Sequence, residues 1–161
     1  MEVKKITTEI HLYSWEEIPV NIKTLLERAK ESGKNAYAPY SKFQVGAAIL
    51  LDSGQIITGN NQENACYPCG LCAERVAVFS AKAKYPNSTI IQLAITAKPI
   101  HSELSIPVPP CGSCRQVLAE YERTQKHPIE VWFMGSSGPV AKVDSVTTLL
   151  PLTFNDSFLD R

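Results

Sequence analysis

The order of helices and strands in this sequence predicts an α/β protein, a three-layer α/β/α sandwich around a five-stranded mixed sheet. Apolar residues recur at helical spacing in some stretches and form short apolar runs in others, and the two kinds of stretch alternate. Strand–helix–strand units imply parallel neighbouring strands joined by right-handed crossovers. No repeat, low-complexity tract or linker interrupts the pattern. Residues 19–161 therefore form a single predicted domain, preceded by an N-terminal arm at 1–18.

Proline, glycine and apolar spacing define the individual elements. Pro19 suits the first turn of a helix, whose apolar face consists of Ile18, Ile22, Leu25, Leu26 and Ala29. The run "FQVGAAILL", residues 43–51, predicts a strand covered on both faces, and "DSG" turns the chain back into a strand at 55–59. The later elements are a helix at 71–85, a strand at 91–97, a helix at 112–124, strands at 129–134 and 140–143, and a short helix at 145–150.

Composition and charge narrow the class of partner. The 16 basic residues balance the 16 acidic ones, whereas a nucleic-acid-binding protein usually has a basic excess or patch. A small, uncharged partner is therefore favoured over a nucleic acid. No membrane segment is expected either, because the longest apolar run, 45–51, is far shorter than a membrane span. The first 15 residues carry scattered charges and no apolar segment typical of a signal peptide. We therefore expect a cytoplasmic protein with reduced thiols.

Five cysteines form two clusters, "CYPCGLCAER" at 66–75 and "PCGSC" at 110–114. Their odd number and the expected reducing compartment argue against disulfides and favour a metal site. Two ligand sets are compatible with the spacing. Cys72, Cys111 and Cys114 would leave a fourth position open, as in catalytic zinc sites, whereas Cys69 added to them would complete a structural four-cysteine site.

Two features favour the set of three. Cys72 falls in the first turn of one predicted helix, and Cys111 and Cys114 flank the start of another. Helix N-termini lower the pKa of a thiol towards the thiolate that binds zinc. Glu74, two residues beyond Cys72, can direct its carboxylate into the ligand sphere without binding the metal, which is the position of a general acid or base. The four-cysteine site gives Glu74 no role.

The succession of Cys72-Ala73-Glu74 and Pro110-Cys-Gly-Ser-Cys114 is the signature of the zinc deaminases. With "YSKFQVGAA", "GNNQENACYPCGLCAERVAV", "PCGSCRQVLAEY" and "LLPLTF", the stretch from about 22 to 154 resembles the small homotetrameric cytidine deaminases. The resemblance implies hydrolysis of cytidine and 2′-deoxycytidine to the uridines with release of ammonia, as in pyrimidine salvage. It also implies one Zn²⁺ per chain, bound by Cys72, Cys111 and Cys114, with Glu74 moving protons.

The same resemblance implies the residues that surround the substrate. Asn61 and Glu63 would bind the ribose hydroxyls, and Phe43 would pack against the pyrimidine. Tyr67 and Ala73 would contact the edge of the base through the backbone. Two more roles follow by analogy, namely Arg75 offsetting the charge of the thiolates and Phe154 reaching the site of a neighbouring subunit in a homotetramer.

Some alternatives stay open. A related deaminase of another nucleoside, such as blasticidin S, would share the metal motif, and a structural four-cysteine module would need no catalysis. Cys66 and Cys69 stand where the family does not require thiols and are interpreted as packing residues. The apolar residues of the arm suggest that it packs against a surface that the sequence does not identify; they are Val3, Ile6, Ile10 and Leu12.

Overall fold

The computed structural model of the chain describes residues 1–159, which form one mixed sheet with helices on both faces. The strands are β1 (His11–Tyr13), β2 (Phe43–Leu51), β3 (Ile56–Asn60), β4 (Ile90–Pro99), β5 (Glu130–Met134) and β6 (Val140–Val143). The helices are α1 (Val20–Gly33), α2 (Ala73–Lys84), α3 (Gly112–Gln125) and α4 (Val146–Leu149). Short 3₁₀ turns occupy Tyr67–Cys69 and Asp156–Phe158. None of the helices in this part of the chain is long and apolar enough to cross a bilayer.

The sheet has six strands in the order β1-β6-β5-β4-β2-β3, not the five that the sequence predicted. The additional strand is β1, whose three residues pair antiparallel with β6 at the edge of the sheet. Backbone hydrogen bonds and the contact of Tyr13 with Trp132, whose ring centroids are 5.4 Å apart, hold it there. Such a short edge strand has no alternating apolar pattern, which is why the sequence did not indicate it. The four apolar residues of the arm predicted to pack, Val3, Ile6, Ile10 and Leu12, are exposed.

Only one of the two strand–helix–strand units joins neighbouring strands. β4 and β5, connected through α3, are parallel and adjacent, as predicted. β3 and β4, connected through α2, run in the same direction, but β2 lies between them and pairs antiparallel with both. The expectation of adjacent parallel strands was therefore wrong for that unit, because the β2–β3 hairpin folds β3 onto the outer edge.

The three-layer sandwich is confirmed by the two apolar clusters on opposite faces of the sheet. Successive residues of β2 alternate between them, as expected for a strand buried on both sides. Ala48 packs in the cluster that includes Leu25 and Leu26 of α1. Ala47 and Ile49 face the other cluster, which α2 and α3 complete.

This topology brings the starts of α2 and α3 to the same edge of the sheet, since β3 and β4 point the same way. Gly59 of β3 allows α2 to lie unusually close. A Cβ atom at Gly59 would lie 2.6 Å from the carbonyl oxygen of Ala73 and 2.5 Å from the amide nitrogen of Ala77. The absence of a side chain at Gly59 therefore determines where the first turn of α2 sits.

Gly59→Ala should consequently displace the first turn of α2 and lower the free energy of unfolding by about 1–3 kcal/mol, the usual cost of overpacking. Urea unfolding of the zinc-loaded protein measures this loss. Gly112→Ala is the matched control, because a Cβ atom at Gly112 meets nothing within 4 Å. Equal destabilisation by the two variants would contradict the close contact inferred for Gly59.

Candidate metal centre and active site

Three cysteine side chains meet at the edge of the sheet where α2 and α3 begin. The Sγ atoms of Cys72 and Cys111 are 3.7 Å apart, and those of Cys111 and Cys114 are 3.5 Å apart. All three sulfur atoms lie within 4.8 Å of one another. Three thiolates bound to a tetrahedral zinc ion at about 2.3 Å would be separated by about 3.8 Å. The donor set and its spacing therefore fit zinc.

The helix starts place these thiols. Cys72 is the residue immediately before α2 and Cys111 the residue immediately before α3, and neither side chain caps its helix by a hydrogen bond. Cys114 lies in the first turn of α3 and is fully buried. The prediction began this helix at residue 71 and so placed Cys72 inside its first turn, whereas α2 begins two residues later, at Ala73. The free amides and partial positive charges of both helix starts favour negative charge on all three sulfur atoms.

Cys69 does not join this cluster. It is exposed, and the metal-binding group found among residues 1–159 contains only Cys72, Cys111 and Cys114. Gly70 and Cys72 have extended backbones, with ψ angles of 147° and 154°, so the chain moves away from Cys69 before it reaches the metal site. The structure thus assembles the three-thiol set, and the structural four-cysteine alternative is not formed.

Arg75 is the cation beside the thiols. Its Nη2 donates hydrogen bonds to Sγ of Cys72 at 3.7 Å and to the carbonyl oxygen of Gly70 at 3.3 Å. A hydrogen bond from Cys114, followed by those from Arg75 and Cys111, lowers the pKa of the Cys72 thiol to about 5. The contact with the Cys72 thiol, followed by burial and the charge of Glu74, raises the pKa of Cys114. Zinc binding would release such thiol protons, because the thiolate is the form that binds the metal.

The Nε atom of Arg75 is buried and has no hydrogen-bond partner within the described part of the chain. A buried guanidinium donor without a partner is costly. Burial opposes the charge of Arg75, but its hydrogen bond with Cys72 and the charges on Cys72 and Cys114 raise its pKa overall. The side chain is therefore a fixed positive charge next to the sulfur cluster, as the sequence comparison with the family implied.

Glu74 lies beside the sulfur cluster and is only 4% exposed. Burial, and secondly the charge on Cys72, raise the pKa of this carboxyl above its usual range. Since α2 begins at Ala73, Glu74 is the second residue of the helix, and its side chain lines the same cavity as Cys72 and Cys111. A carboxyl group with a raised pKa next to a metal site can both accept and return a proton.

A cavity of about 690 Å³ opens next to these groups. This volume lies within the usual range for small-molecule sites. The predicted site residues that line it are Phe43, Asn61, Glu63, Tyr67, Cys72, Glu74, Arg75 and Cys111. Cys114 and Ala73 are fully buried directly behind its wall. The structure therefore brings most of the predicted substrate residues to one cavity.

Asn61 and Glu63 also hold the cavity wall together. Oδ1 of Asn61 accepts from the amide of Val45 at 2.8 Å, and its Nδ2 donates to the carbonyl oxygen of Phe43 at 2.9 Å. Oε2 of Glu63 accepts from the amides of Tyr40 and Ser41 at 3.0 and 3.2 Å. One N–H of Asn61 and Oε1 of Glu63 form none of the hydrogen bonds found among residues 1–159.

Phe154, which was predicted to reach the site of a neighbouring subunit, lies away from the cavity of its own chain. It lies outside the cavity, is 57% exposed, and stacks on Phe158 with a centroid distance of 5.8 Å. Its carbonyl oxygen accepts a hydrogen bond from Gln116 at 2.8 Å. Phe154 therefore takes no part in the cavity of its own chain.

Sequence reasoning did not identify Tyr40 and Leu71, although both line the cavity. The ring of Tyr40 lies 6.0 Å from that of Tyr67 at the rim. Leu71 pairs with Gln62 through two backbone hydrogen bonds of 2.9 Å each. Both residues fall in loops, where no periodic pattern could indicate which way they face.

Comparison with known proteins gives a consistent result. The model of the cytidine and deoxycytidylate deaminase zinc-binding region matches residues 19–129. A cytidine deaminase of Halalkalibacterium halodurans is 38% identical over 130 residues, which cover 81% of this chain and 91% of that protein. A cytidine deaminase of Sporosarcina psychrophila is 37% identical over 136 residues, covering 84% and 93%.

Solved structures give the same result. The crystal structure of a cytidine deaminase from Burkholderia pseudomallei superposes with a TM-score of 0.72 at 39% identity, covering 82% of this chain and 98% of that one. The cytidine deaminase from Mycobacterium tuberculosis has a TM-score of 0.65 at 32% identity, covering 85% and 99%.

Replacing Cys111 by serine should weaken zinc binding by more than about 100-fold, since even the loss of a group that only supports a ligand costs 10- to 100-fold. Competition with a chromogenic chelator measures the affinity. Cys69→Ser is the matched control, because it also removes one thiol, but one that lies outside the group of three that would bind the metal. This variant should bind zinc like the unmodified chain. A comparable loss in both variants would favour the four-cysteine site.

Proposed function

This chain belongs to the cytidine and deoxycytidylate deaminase family, and we propose that it converts cytidine and 2′-deoxycytidine to uridine and 2′-deoxyuridine by zinc-dependent hydrolysis. The observation that carries this function is the convergence of three zinc-spaced thiols and a buried glutamate on one cavity. The products of the reaction are the uridine nucleoside and ammonia, which places the activity in pyrimidine salvage.

Cys72, Cys111 and Cys114 would hold the zinc ion and leave its fourth position facing the cavity. When bound, zinc supplies a Lewis acid that lowers the pKa of water towards neutrality. Three thiolates give the centre a net negative charge that weakens this effect. Arg75, hydrogen-bonded to Cys72, offsets part of that charge.

Glu74 would carry the protons. One carboxylate oxygen accepts a proton from the attacking water and delivers it to the neighbouring ring nitrogen of the pyrimidine. The same carboxylate then accepts the second proton of the former water molecule, from the hydroxyl group now on the ring carbon, and gives it to the departing amine, which leaves as ammonia, so that Glu74 ends deprotonated as it began. Such two-way transfer requires a pKa above that of an exposed glutamate, which the burial of Glu74 supplies.

The cavity suits a nucleoside better than a nucleotide. Its charged lining residues are Glu63, Glu74 and Arg75. Among residues 1–159, Arg75 is the sole cation of that lining, and it already bonds to Cys72, so this part of the chain offers the cavity no further positive charge for a phosphate. Two carboxyl groups would instead repel one. The neutral sugar of cytidine is therefore the better ligand.

The polar groups left available would orient that sugar and base. The unused N–H of Asn61 and Oε1 of Glu63 can bind two ribose hydroxyls. Phe43, half-buried in the wall, offers an apolar face to the pyrimidine. The amide of Ala73, in the first turn of α2, has no partner within its helix and can donate to the base. The backbone of Tyr67 completes the rim.

We further infer a homotetramer with shared sites and a cytoplasmic location. Large exposed apolar residues near the C-terminus favour subunit contacts; they are Leu152, Phe154, Phe158 and Leu159. Phe154 has no place in its own cavity and is free to reach a neighbouring one. Five free cysteines fit a reducing compartment, where a thiolate zinc centre persists.

Glu74→Gln should lower kcat by about 10²- to 10⁴-fold, because the amide cannot transfer protons, while zinc binding stays unchanged. The loss of cytidine ultraviolet absorbance measures turnover. Glu120→Gln, on the exposed face of α3, is the control and should keep full activity.

The same assay with cytosine, CMP and blasticidin S, and with a chelator, separates the candidate substrates. We expect turnover of cytidine alone among the four, abolished by zinc removal. Full activity of Glu74→Gln, or preferential turnover of blasticidin S, would refute the proposal.

Phe154→Ala should raise the KM for cytidine while zinc binding is retained, whereas Phe158→Ala, which removes the stacked partner, should have a smaller effect. Co-expressing Phe154→Ala with Glu74→Gln tests whether sites are shared. A mixed tetramer contains sites with Glu74 from one chain and Phe154 from another, so part of the activity should return. No recovery in a mixed tetramer would mean that Phe154 acts only in its own chain.

A further inference from the structure

We propose that Cys66 and Cys69 form a redox-active dithiol at the rim of the cavity, able to close into an intramolecular disulfide while the zinc cysteines stay untouched. Both thiols are exposed, and neither belongs to the metal cluster. The catalytic proposal gives them no role. Their position in the chain therefore calls for a separate explanation.

The backbone holds the two cysteines at the right separation. The amide of Cys69 donates to the carbonyl oxygen of Cys66 at 2.8 Å, and the 3₁₀ turn Tyr67–Cys69 follows Cys66 directly. A turn closed by such a bond brings its first and fourth Cα atoms within about 7 Å. At a 3₁₀ rise of about 2 Å per residue the separation is about 6 Å, within the range of 4.4–6.8 Å typical of disulfides.

Both ends of this turn are anchored. Oδ1 of Asn64 accepts from the amide of Cys66 at 2.8 Å, and Leu71 is paired with Gln62 just beyond the turn. The cysteines are therefore presented by a fixed backbone rather than by a loose loop. Closing the bond requires the two exposed side chains to rotate towards each other across this turn.

The competing pair, Cys69 and Cys72, does not have this geometry. The backbone between them is extended at Gly70, and Leu71 lies in a β-bridge. Three extended residues span about 10 Å, beyond the limit of about 7 Å for a disulfide without backbone movement. Oxidation is therefore directed to Cys66 and away from the zinc ligand.

The oxidant is a low-molecular-weight disulfide such as oxidised glutathione. The thiolate of one cysteine attacks this disulfide and forms a mixed disulfide, and one glutathione leaves as a thiol. The thiolate of the second cysteine then attacks the protein-bound sulfur and releases the other glutathione. Two protein thiols are oxidised, one external disulfide is reduced to two thiols, and no other electron acceptor is needed.

The cross-link would lie at the entrance of the active site. Tyr67 stands between the two cysteines and lines the cavity, where its ring meets that of Tyr40. A disulfide exposed to solvent in so short a loop is expected to be readily reduced again. The site is therefore a reversible modification site rather than a structural bond.

The test treats the full-length, zinc-loaded protein with oxidised glutathione, followed by intact-mass and peptide mass spectrometry and zinc measurement. We expect a mass lower by about 2 Da, since two hydrogen atoms leave, a peptide linking Cys66 to Cys69, full zinc content, and reversal by dithiothreitol. Cys66→Ser and Cys69→Ser are the matched controls. Each should instead gain about 305 Da, one glutathione, on its remaining thiol.

Three results would overturn the proposal. These are glutathione adducts on both thiols without a cross-link, no reaction at either thiol, and a bond between Cys69 and Cys72 with loss of zinc. Activity is not part of the readout, so the outcome is independent of whether cytidine is the substrate.

Discussion

Negative charge on three closely spaced sulfur atoms is the constraint on which the rest of this site depends. Thiolates within 4.8 Å of one another repel strongly. Two helix starts and the guanidinium of Arg75 supply partial compensation. A divalent cation completes it. The concentration of negative charge is therefore what makes this edge of the sheet a metal site.

The sheet makes this concentration of charge possible. β3 and β4 point in the same direction although β2 separates them, so α2 and α3 both start at one edge. The close approach of α2 at Gly59 fixes the first turn that carries Glu74. Asn61 ties the start of β2 to the cavity wall through two hydrogen bonds. Asn61 thus both holds the scaffold together and is a proposed substrate-binding residue. A substitution that alters one of these roles would also alter the other.

The chemistry of the site could be predicted from sequence because its residues fall in two short motifs. Cys111 and Cys114 are three residues apart, and Glu74 follows Cys72 by two, so each motif is held together by one helix start, while the sheet topology brings the two starts together. The strands at 43–51 and 140–143 were predicted with their observed bounds, because each is a mostly apolar run next to turn residues, Asp52-Ser-Gly54 after the first and Gly135–Pro139 before the second. β1 could not be predicted, since its three residues pair by backbone alone. The contacts of Glu63 with Tyr40 and Ser41 join loops more than 20 residues apart and follow only from tertiary structure.

The number of sulfur atoms around the metal decides whether this centre is built for catalysis. X-ray absorption at the zinc edge of the loaded protein counts them directly. Three sulfur atoms at about 2.3 Å and one lighter oxygen or nitrogen neighbour are predicted, because Cys69 lies outside the cluster. Four sulfur neighbours would contradict the open coordination site and, with it, the catalytic role of the cavity.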